Sequence, residues 1–309
     1  MKNIYKIHYI VFFLALFFSK AIAEPTFVQS KSLDSNFYLG LNFNNDGTKM
    51  YTVNAKASDA VIEYILTTPY DISTAIVNNT KGVSRGGVTQ ATQVVFNNDG
   101  TKMFIVNHAG RKSVDYWSLT TAFDVSTATF DGEYSLIGKE QRANSIAFNN
   151  DGTRMFIAGV GNNSQVRIHE YSLSTGFDLS STVTQLNTQD LISFQNHIDG
   201  VTFNYDGTKM YTITHMNKDG TEAQDLMNQF KLTTPYDVST LSLEGTYTVS
   251  SVSADSREVV FSNDGSKMFI IDDLDNKIHE FNLSCNWSVV DGACDDPVNT
   301  NDELSLIHI

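Results

Sequence analysis

The sequence offers little material for long helices or for a membrane span. No stretch shows a sustained helical period of apolar residues, and this absence disfavours helix-containing folds. The one strongly apolar run, residues 10–18, is too short to cross a bilayer comfortably. Positive charge is also scarce, because 21 Lys and Arg residues face 35 Asp and Glu residues, for a net charge of −14. Such a chain repels phosphate backbones and anionic lipid surfaces, so nucleic acid is not an expected partner.

The first 23 residues have the features of a secretory signal peptide. Lys2 and Lys6 precede the apolar run, and the small-x-small sequence Ala21-Ile22-Ala23 follows it. This pattern predicts cleavage before Glu24, and an uncleaved membrane anchor is the alternative. Removal of the leader with its three lysines leaves 18 basic against 35 acidic side chains, a net charge of −17. We therefore expect a secreted protein (periplasmic, extracellular or on the cell surface) whose mature chain has no transmembrane span.

A hairpin motif occurs five times at a regular spacing. Its copies read LNFNNDGTKMY, VVFNNDGTKMF, IAFNNDGTRMF, VTFNYDGTKMY and VVFSNDGSKMF, with turn aspartates Asp46, Asp99, Asp151, Asp206 and Asp264. These aspartates are 53, 52, 55 and 58 residues apart, a period that suits a four-stranded propeller blade and is too long for a simple solenoid coil. In each copy a Phe ends the first strand, Asp-Gly makes the tight turn, and a Met in the second strand is expected to pack between blades.

Two further segments of each repeat predict additional strands and corners. A third strand ends in EYIL, YWSL, EYSL, QFKL or EFNL, in which an aromatic residue and Leu lie two positions apart. A corner such as TTPYDISTA follows, where Asp-x-Ser-Thr caps the turn and the preceding aromatic residue fills it. The dipeptides His169-Glu170 and His279-Glu280 begin like zinc-protease motifs but lack the second His. We interpret them as polar residues on a strand surface.

The number of strands predicts how the ring closes. A fourth strand, such as residues 128–136, separates consecutive repeats, but none follows the fifth corner at residues 284–292. Residues 26–33 form a spare strand at the other end, and their addition to the fifth blade avoids an unpaired edge. We therefore predict an all-β, five-bladed β-propeller of four-stranded antiparallel blades over residues 24–290, with six blades as the alternative if the chain continues.

The repeated F-x-x-D-G-[TS]-[KR]-M-[FY] hairpin resembles the repeats of secreted bacterial propellers, the YVTN or lactonase-like and the TolB-like (WD40-like) groups, over about residues 26–290. Those groups have Ser-Pro before Asp-Gly, whereas this chain has Asn-Asn, Asn-Tyr or Ser-Asn. The resemblance implies a blade and leaves the activity open, because propellers serve as hydrolases, lectins, scaffolds and electron carriers. The lactonase-like arrangement implies a calcium ion held by Asn54, Asn107, Glu258 and Asp272.

Loops that enter the first strand and leave the second strand of each blade are expected to converge on one mouth of the central channel. The candidate ligand-binding residues in these loops are Asn107, His108, Arg142, Asn144, His197, Asp199, His215 and Arg257. Polar groups that converge from several blades suit a sugar, a peptide or one cation. A solvated rim is the competing interpretation, since loop residues are polar in any case.

We expect a non-catalytic module that binds a glycan, a peptide or a protein through this loop face. The alternative is a calcium-dependent lactonase-like or esterase-like hydrolase at the channel mouth, with His197 or His215 as proton acceptor. A five-bladed glycosidase is disfavoured. That class needs carboxylates on several innermost strands, and the strand cores LNF, VVF, IAF, VTF and VVF carry none.

Residues 291–309 form an acidic and polar tail, of which 291–303 are interpreted as a linker. Cys294 in this tail and Cys285 before it are expected to form a short-loop disulfide after export, with two reduced thiols as the alternative. The last six residues, 304–309, match a translated transposon end that is used in sequencing libraries. We expect the native reading frame to continue past Glu303, and a short apolar strand is the alternative.

Overall fold

A computed structural model describes residues 24–34, 37–55, 59–86, 90–160, 165–215 and 225–290. The strands in chain order are β1 (Thr26–Ser32), β2 (Tyr38–Phe43), β3 (Lys49–Asn54), β4 (Ala60–Leu66), β5 (Ala75–Gly82), β6 (Ala91–Phe96), β7 (Lys102–Asn107), β8 (Ser113–Leu119), β9 (Ala128–Ser135), β10 (Arg142–Phe148), β11 (Arg154–Val160), β12 (Val166–Leu173), β13 (Val183–Asp190), β14 (Gly200–Phe203), β15 (Lys209–Thr214), β16 (Leu226–Leu232), β17 (Leu241–Thr248), β18 (Ser256–Phe261), β19 (Lys267–Asp272) and β20 (Lys277–Asn282). Short 3-10 helices lie at Ile72–Thr74, Val125–Thr127 and Val238–Thr240. Within the described residues, no helix has the length and apolar character needed to cross a membrane.

The strands form five four-stranded antiparallel blades of a propeller, which confirms the predicted fold. Four blades use consecutive strands, β2 to β5, β6 to β9, β10 to β13 and β14 to β17, and the fifth has the order β1-β20-β19-β18. The first strand of each blade contacts the first strands of both neighbouring blades, so these five strands surround the central channel. Strand β1 pairs with β20, where Phe27 faces Phe281. The predicted ring closure by the N-terminal strand is therefore confirmed.

Hydrogen bonds of the turn aspartate fix each hairpin. Oδ1 of Asp46 accepts hydrogen bonds from N–H (2.9 Å) and Oγ1 (2.6 Å) of Thr48. These hydrogen bonds lower the pKa of Asp46. The next residue, Gly47, has a φ of +70°, a left-handed conformation that glycine adopts without steric cost. The turn chemistry that the Asp-Gly motif predicts is thus present.

The corner aromatic residue covers the turn glycine of its own blade. Tyr70 has a φ of +56°, and its N–H donates to the carbonyl of Gly47 (3.0 Å). Its ring lies so close that a Cβ on Gly47 would be 2.2 Å from Cδ2 of Tyr70. The same pairing joins Gly100 to Phe123, Gly152 to Phe177, Gly207 to Tyr236 and Gly265 to Trp287. The degenerate fifth corner therefore covers its turn glycine in the same way as the other four.

The repeated methionines are core residues, as predicted. Met50, Met103, Met155, Met210 and Met268 are all fully buried. Met103 packs in one cluster with Tyr51 and Val53 of the preceding blade, and Met50 packs with Phe269 of the fifth blade. These contacts bury apolar surface between neighbouring blades, the main favourable contribution to holding the ring together.

Buried polar residues of the third strand join neighbouring blades. Glu63 in β4 accepts hydrogen bonds from the N–H of Val125 in the next blade (2.9 Å) and from Nζ of Lys49 (3.0 Å). Equivalent bonds run from Val238 to Glu170, from Val289 to Gln229 and from Ile72 to Glu280. His169 and His279 are buried as well. The interpretation of His169-Glu170 and His279-Glu280 as strand-surface residues is therefore wrong. The next blade covers the glutamate side chains, and the two histidines are buried on the opposite face of their strands.

Several sequence predictions concern residues outside the described ranges. Cys285 is disulfide-bonded, while Cys294, the other cysteine of the chain, lies outside the described residues. The signal peptide at 1–23, the tail at 291–309 and its last six residues also lie outside them. These assignments stay predictions, as does the secreted location.

Candidate functional site

One mouth of the central channel opens into a cleft of about 610 Å³, which we call the mouth cleft. Its lining residues are Phe37, Leu39, Gln90, Thr92, His108, Arg142, Asn144, Val160, Ile192, Asn196, His197, Asp199, His215 and Arg257. All five blades contribute, and seven of the eight predicted ligand-binding residues are present. The exception is Asn107, which is buried with its Nδ2 3.4 Å from Oγ of Ser113. The structure brings the seven together, and their role in binding stays a prediction.

A β-bulge places one residue of the innermost strand in the mouth cleft in four of the blades. In β2, Tyr38 and Gly40 pair with consecutive residues of β3, so Leu39 is an extra residue. The corresponding extra residues of β6, β10 and β18 are Thr92, Asn144 and Arg257. In the fourth blade, Asp199 takes this position immediately before β14. Because a bulge changes the direction of a side chain, this layer points to the channel mouth.

A second layer of the cleft lies two positions earlier in each repeat. Its members are Phe37, Gln90, Arg142 and His197, with Asp255 at the same position in the fifth blade. The residue after the second strand hydrogen-bonds to this layer, as the N–H of His108 does to the carbonyl of Gln90 (2.9 Å). The chemistry changes around the ring. This second layer is apolar in the first blade and cationic in the third, and it has a histidine in the fourth blade and an acid in the fifth.

His108 is held between the second and third blades by two polar contacts. Its Nδ1 lies 2.7 Å from Oδ1 of Asn144, and its Nε2 lies 3.0 Å from Nε of Arg142. The amide of Asn144 donates to the carbonyl of Ile198 (2.7 Å), so Oδ1 accepts and Nδ1 of His108 carries the proton. Burial, only partly opposed by the bond to Asn144, lowers the pKa of His108 and favours this neutral ring. Arg142 has no acidic partner among the described residues, and its guanidinium is available to an anionic ligand.

Asp199 is the buried centre of the opposite side of the mouth cleft. Its Oδ2 lies 2.7 Å from Nδ1 of His215 and 3.2 Å from Nδ1 of His197, and it also accepts the N–H of His215 (3.2 Å). Burial opposes the charged form, but the two histidines outweigh it and hold the pKa of Asp199 well below its usual range. Burial also opposes the charged form of His215 and so acts to lower its pKa. The hydrogen bond to Asp199 and the negative charge of Asp199 outweigh burial, and the pKa of His215 is raised.

Arg257 connects Asp199 to two more acids. Its Nη1 lies 3.3 Å from Oδ1 of Asp199, and its Nη2 lies 2.7 Å from Asp255 and 3.6 Å from Asp273. Burial raises the pKa of Asp255, and it raises the pKa of Asp273 to about 6 although Arg257 acts in the other direction. One guanidinium is therefore shared by three carboxyl groups. Unlike Arg142, Arg257 is already paired within the protein.

Below the bulged layer, polar side chains of three blades close the channel. Oγ of Ser145 lies 2.9 Å from Oε1 of Gln93 and 3.1 Å from Oε2 of Glu258, and it accepts the N–H of Val201 (2.9 Å). Complete burial raises the pKa of Glu258 well above its usual range. Because the hydroxyl of Ser145 has one proton, it can donate to only one of these oxygens. With Glu258 protonated, the acid donates to Ser145, and Ser145 donates to Gln93. Gly200 leaves the space for this acid, because a Cβ there would lie 2.4 Å from Oε1 of Glu258.

Glu258 corrects one step of the sequence argument. Glu258, named above only as an implied calcium ligand, lies within β18, which begins at Ser256, immediately before the VVF core. The statement that the innermost strands carry no carboxylate is therefore wrong for the fifth blade. Glu258 is the one acid within β2, β6, β10, β14 and β18. A glycosidase needs several such acids, so this class stays disfavoured.

The residues predicted to hold calcium have separate partners. Asp272 accepts bonds from Ser253 Oγ (2.9 Å) and from the N–H groups of Ala254 (2.8 Å) and Asp275 (2.9 Å). Burial opposes its charge, but these bonds and the contact with His279 outweigh burial and lower the pKa of Asp272. Glu258 is bonded to Ser145 instead. Glu258 and Asp272 thus have separate partners within the protein, and the calcium set of Asn54, Asn107, Glu258 and Asp272 stays a prediction.

Sequence reasoning missed the apolar and uncharged part of the mouth cleft. Phe37 and Leu39 hold the same repeat positions as Arg142 and Asn144, and Thr92 is the equivalent of Leu39. Alignment of the five repeats would have identified them. These positions are marked by their place before the hairpin motif and not by polarity.

Comparison with known proteins adds little beyond the fold. No family model and no curated protein matches this sequence. Among solved structures, the chain is similar to a putative 6-phosphogluconolactonase from Bacteroides uniformis, with 10% sequence identity and a TM-score of 0.46. The match covers 71% of this chain and 61% of that chain, which is less than two thirds of its length.

Proposed function

We propose that this propeller is a binding module whose mouth cleft takes a small carboxylate-bearing ligand, with an acidic sugar as the best fit. The observation that carries the proposal is the asymmetric lining of one cleft by all five blades. At about 610 Å³ the mouth cleft has the size of small-molecule sites, which are commonly 300–1,000 Å³. It is also built on rigid innermost strands and their bulges, and so it is largely formed before a ligand arrives.

Arg142 is the residue that we expect to bind the anionic end of the ligand. It lies at the exposed start of β10, and no described residue neutralises it. Its Nε is fixed by His108, so the guanidinium has a defined position although the side chain is exposed. A guanidinium pairs with a carboxylate through two parallel hydrogen bonds, which gives geometric selectivity as well as attraction. In a chain with a net charge of −14, such a cation in a cleft selects an anion against the overall repulsion.

Phe37 and Leu39 are the residues that we expect to contact the sugar ring of the ligand. They form an apolar wall in the first blade, while Gln90 and Thr92 beside them offer hydrogen-bonding groups. A sugar ring has an apolar C–H face and a polar edge of hydroxyl groups, so it matches this alternation. A hydrophobic wall with a few placed polar groups is typical of ligand sites.

The test is calorimetric titration with uronic acids and their neutral counterparts, after a glycan-array screen. The wild-type protein should prefer the acidic sugar, and Arg142→Gln should weaken its binding by about tenfold or more, since charged hydrogen bonds contribute about 1.5–3 kcal/mol. Arg111→Gln is the matched control. Arg111 pairs with exposed Glu133 and is outside the cleft lining, so its loss should leave binding unchanged. Equal binding of acidic and neutral sugars, or an indifferent Arg142→Gln, would contradict the proposal.

A hydrolase is the second candidate, and one observation favours it. Nδ1 of His215 is held 2.7 Å from the carboxylate of Asp199, an arrangement that orients an imidazole for proton transfer. A panel of lactones and esters tests this candidate. Turnover that is lost in His215→Gln and kept in His108→Gln would replace the binding proposal with a catalytic one.

A further inference from the structure

Three side chains on the fourth blade bring potential metal ligands together. The candidate atoms of His197, Asp199 and His215 all lie within 4.8 Å of one another. The two imidazole rings have centroids 5.0 Å apart at an angle of 69°, and Oδ2 of Asp199 lies beside Nδ1 of both. The side chains are 13%, 5% and 10% exposed, so they are shielded without being sealed from the mouth cleft.

The hydrogen bonds of this cluster are crowded on one oxygen. Oδ2 of Asp199 has three nitrogen neighbours, which are Nδ1 of His197, Nδ1 of His215 and the backbone nitrogen of His215. A carboxylate oxygen has two lone pairs, so three donors compete for it. A cation bound to both Nδ1 atoms and to Oδ2 would replace two of these donors with coordinate bonds. We propose that His197, Asp199 and His215 bind one divalent transition-metal ion of the zinc type.

The donor set selects the class of metal. Calcium and magnesium prefer oxygen ligands, whereas zinc and its neighbours bind imidazole nitrogen together with carboxylate oxygen. Three protein ligands leave at least one coordination position of a tetrahedral ion unfilled. Because the same three residues line the mouth cleft, this position faces the space in which a ligand would bind.

The surroundings balance the charge of such an ion. Asp199, Asp255 and Asp273 are three acids around the single cation Arg257, so the cluster has a formal excess of two negative charges. A divalent ion would compensate that excess. Arg257 also holds Oδ1 of Asp199 at 3.3 Å, which leaves Oδ2 to face the histidines. Outer hydrogen bonds that orient a ligand in this way are usual in metal sites.

The experiment uses the whole chain without a polyhistidine tag, stripped with a chelator and titrated with Zn²⁺ alone. We expect one ion per chain, and Co²⁺ in its place should give the visible absorption of a tetrahedral site. His197→Gln and His215→Gln should each lower the affinity by about 100-fold or more, since even outer-sphere changes cost 10–100-fold. The X-ray absorption spectrum of the zinc-loaded wild-type protein should contain two imidazole ligands, and this readout does not depend on a variant that folds.

His108→Gln and Asp272→Asn are the matched controls. His108 is a histidine of the same cleft outside the cluster, and Asp272 is an acid of the calcium set, so both variants should bind Zn²⁺ as the wild-type protein does. The proposal fails if Zn²⁺ does not bind, or if it binds equally well to both cluster variants. It also fails if Ca²⁺ binds more tightly than Zn²⁺ and Asp272→Asn abolishes that binding. None of these outcomes depends on the acidic-sugar ligand, which is tested separately with Arg142→Gln.

Discussion

The ring of Phe123 occupies the space in which a side chain of residue 100 would begin. A Cβ on Gly100 would lie 2.2 Å from Cδ2 of Phe123, and Gly100 itself has a φ of +70°. Glycine is therefore required at this turn for two reasons: the backbone has a positive φ, and the Phe123 ring leaves no space for a Cβ. The same double requirement holds in all five blades and explains why the Asp-Gly of the repeat is invariant within this chain.

Alanine substitutions can separate the two requirements. Gly100→Ala should destabilise the protein by about 1–2 kcal/mol for the left-handed backbone and about 1–3 kcal/mol for the overlap with Phe123. Gly138→Ala should show only the backbone cost, because Gly138 has a φ of +80° with open space around it. Gly82→Ala has neither problem and serves as the control. Urea denaturation measures all three, and equal losses for Gly100→Ala and Gly138→Ala would show that the ring moves away freely.

Glu63 allows a test of how neighbouring blades are joined. Glu63→Ala leaves the N–H of Val125 without its acceptor and removes the ion pair of Lys49, which keeps only the carbonyl of Phe123, so a loss of about 2–3 kcal/mol is expected. Glu63→Gln should cost less, because Gln229 makes the equivalent bond to Val289 in another blade. Chemical denaturation gives both values. Glu133→Ala, which removes two ion pairs of an exposed carboxylate, should cost about 0.5 kcal/mol or less. A similar small loss for Glu63→Ala would refute this role.

The repeats made the fold predictable, and the contacts between repeats limited what could be predicted of the site. The number of repeats predicts the number of blades, and the Asp-Gly of each repeat predicts the turn. The spare strand at 26–33 predicts the closure of the ring. The burial of Glu170 does not, because the next blade supplies the cover and the N–H of Val238. The bulge at Leu39 is a property of paired strands, so the sequence of one strand did not reveal it. Charged residues such as Arg142 were found because polar groups are conspicuous in a sequence, whereas the apolar Phe37 was not.

A ring of asparagine side chains on the hairpin turns is open at one point. The amides of Asn45, Asn98 and Asn150 donate to the backbone carbonyl of the equivalent residue in the next blade, and Asn263 donates to Asn45. The fourth blade has Tyr205 at this position, and its side chain is 69% exposed. Tyr205 has no amide group to donate to the carbonyl of Asn263. The equivalent side-chain hydrogen bond between the fourth and fifth blades is therefore missing from this ring.

Tyr205→Asn should complete this ring. The new amide can donate to the carbonyl of Asn263, and one added hydrogen bond should stabilise the protein by about 0.5–1.5 kcal/mol. Tyr205→Ala is the control that removes the exposed ring without adding a donor, and it should be close to neutral. The midpoint of thermal unfolding distinguishes the two variants. If Tyr205→Asn unfolds at the same temperature as Tyr205→Ala, the asparagine ring does not contribute to stability.

Glu258 gives a prediction for the pH dependence of stability. Its pKa is raised in the folded protein, so the folded state holds the proton more tightly than the unfolded state does. Stability from this group is therefore fully present below the unfolded pKa, near 4.5, and is lost as the pH rises towards the folded pKa. Glu258→Gln keeps the shape of the protonated acid, with Oε1 accepting the N–H of Val259 and the amide donating to Ser145.

The variant should match the wild-type protein at about pH 4, below the unfolded pKa, and exceed its free energy of unfolding at pH 8. The difference should grow by about 1.4 kcal/mol for each pH unit between the unfolded and the folded pKa. Urea denaturation across this range measures the difference. Ser145→Ala provides the complementary test, because it removes the acceptor of the acid's proton and should destabilise the protein most where Glu258 is protonated. A difference in the free energy of unfolding between Glu258→Gln and wild type that stays constant from pH 5 to pH 8 would contradict this prediction. It would mean that Glu258 is charged in the folded protein, although Gln93 and Ser145 offer it no cation.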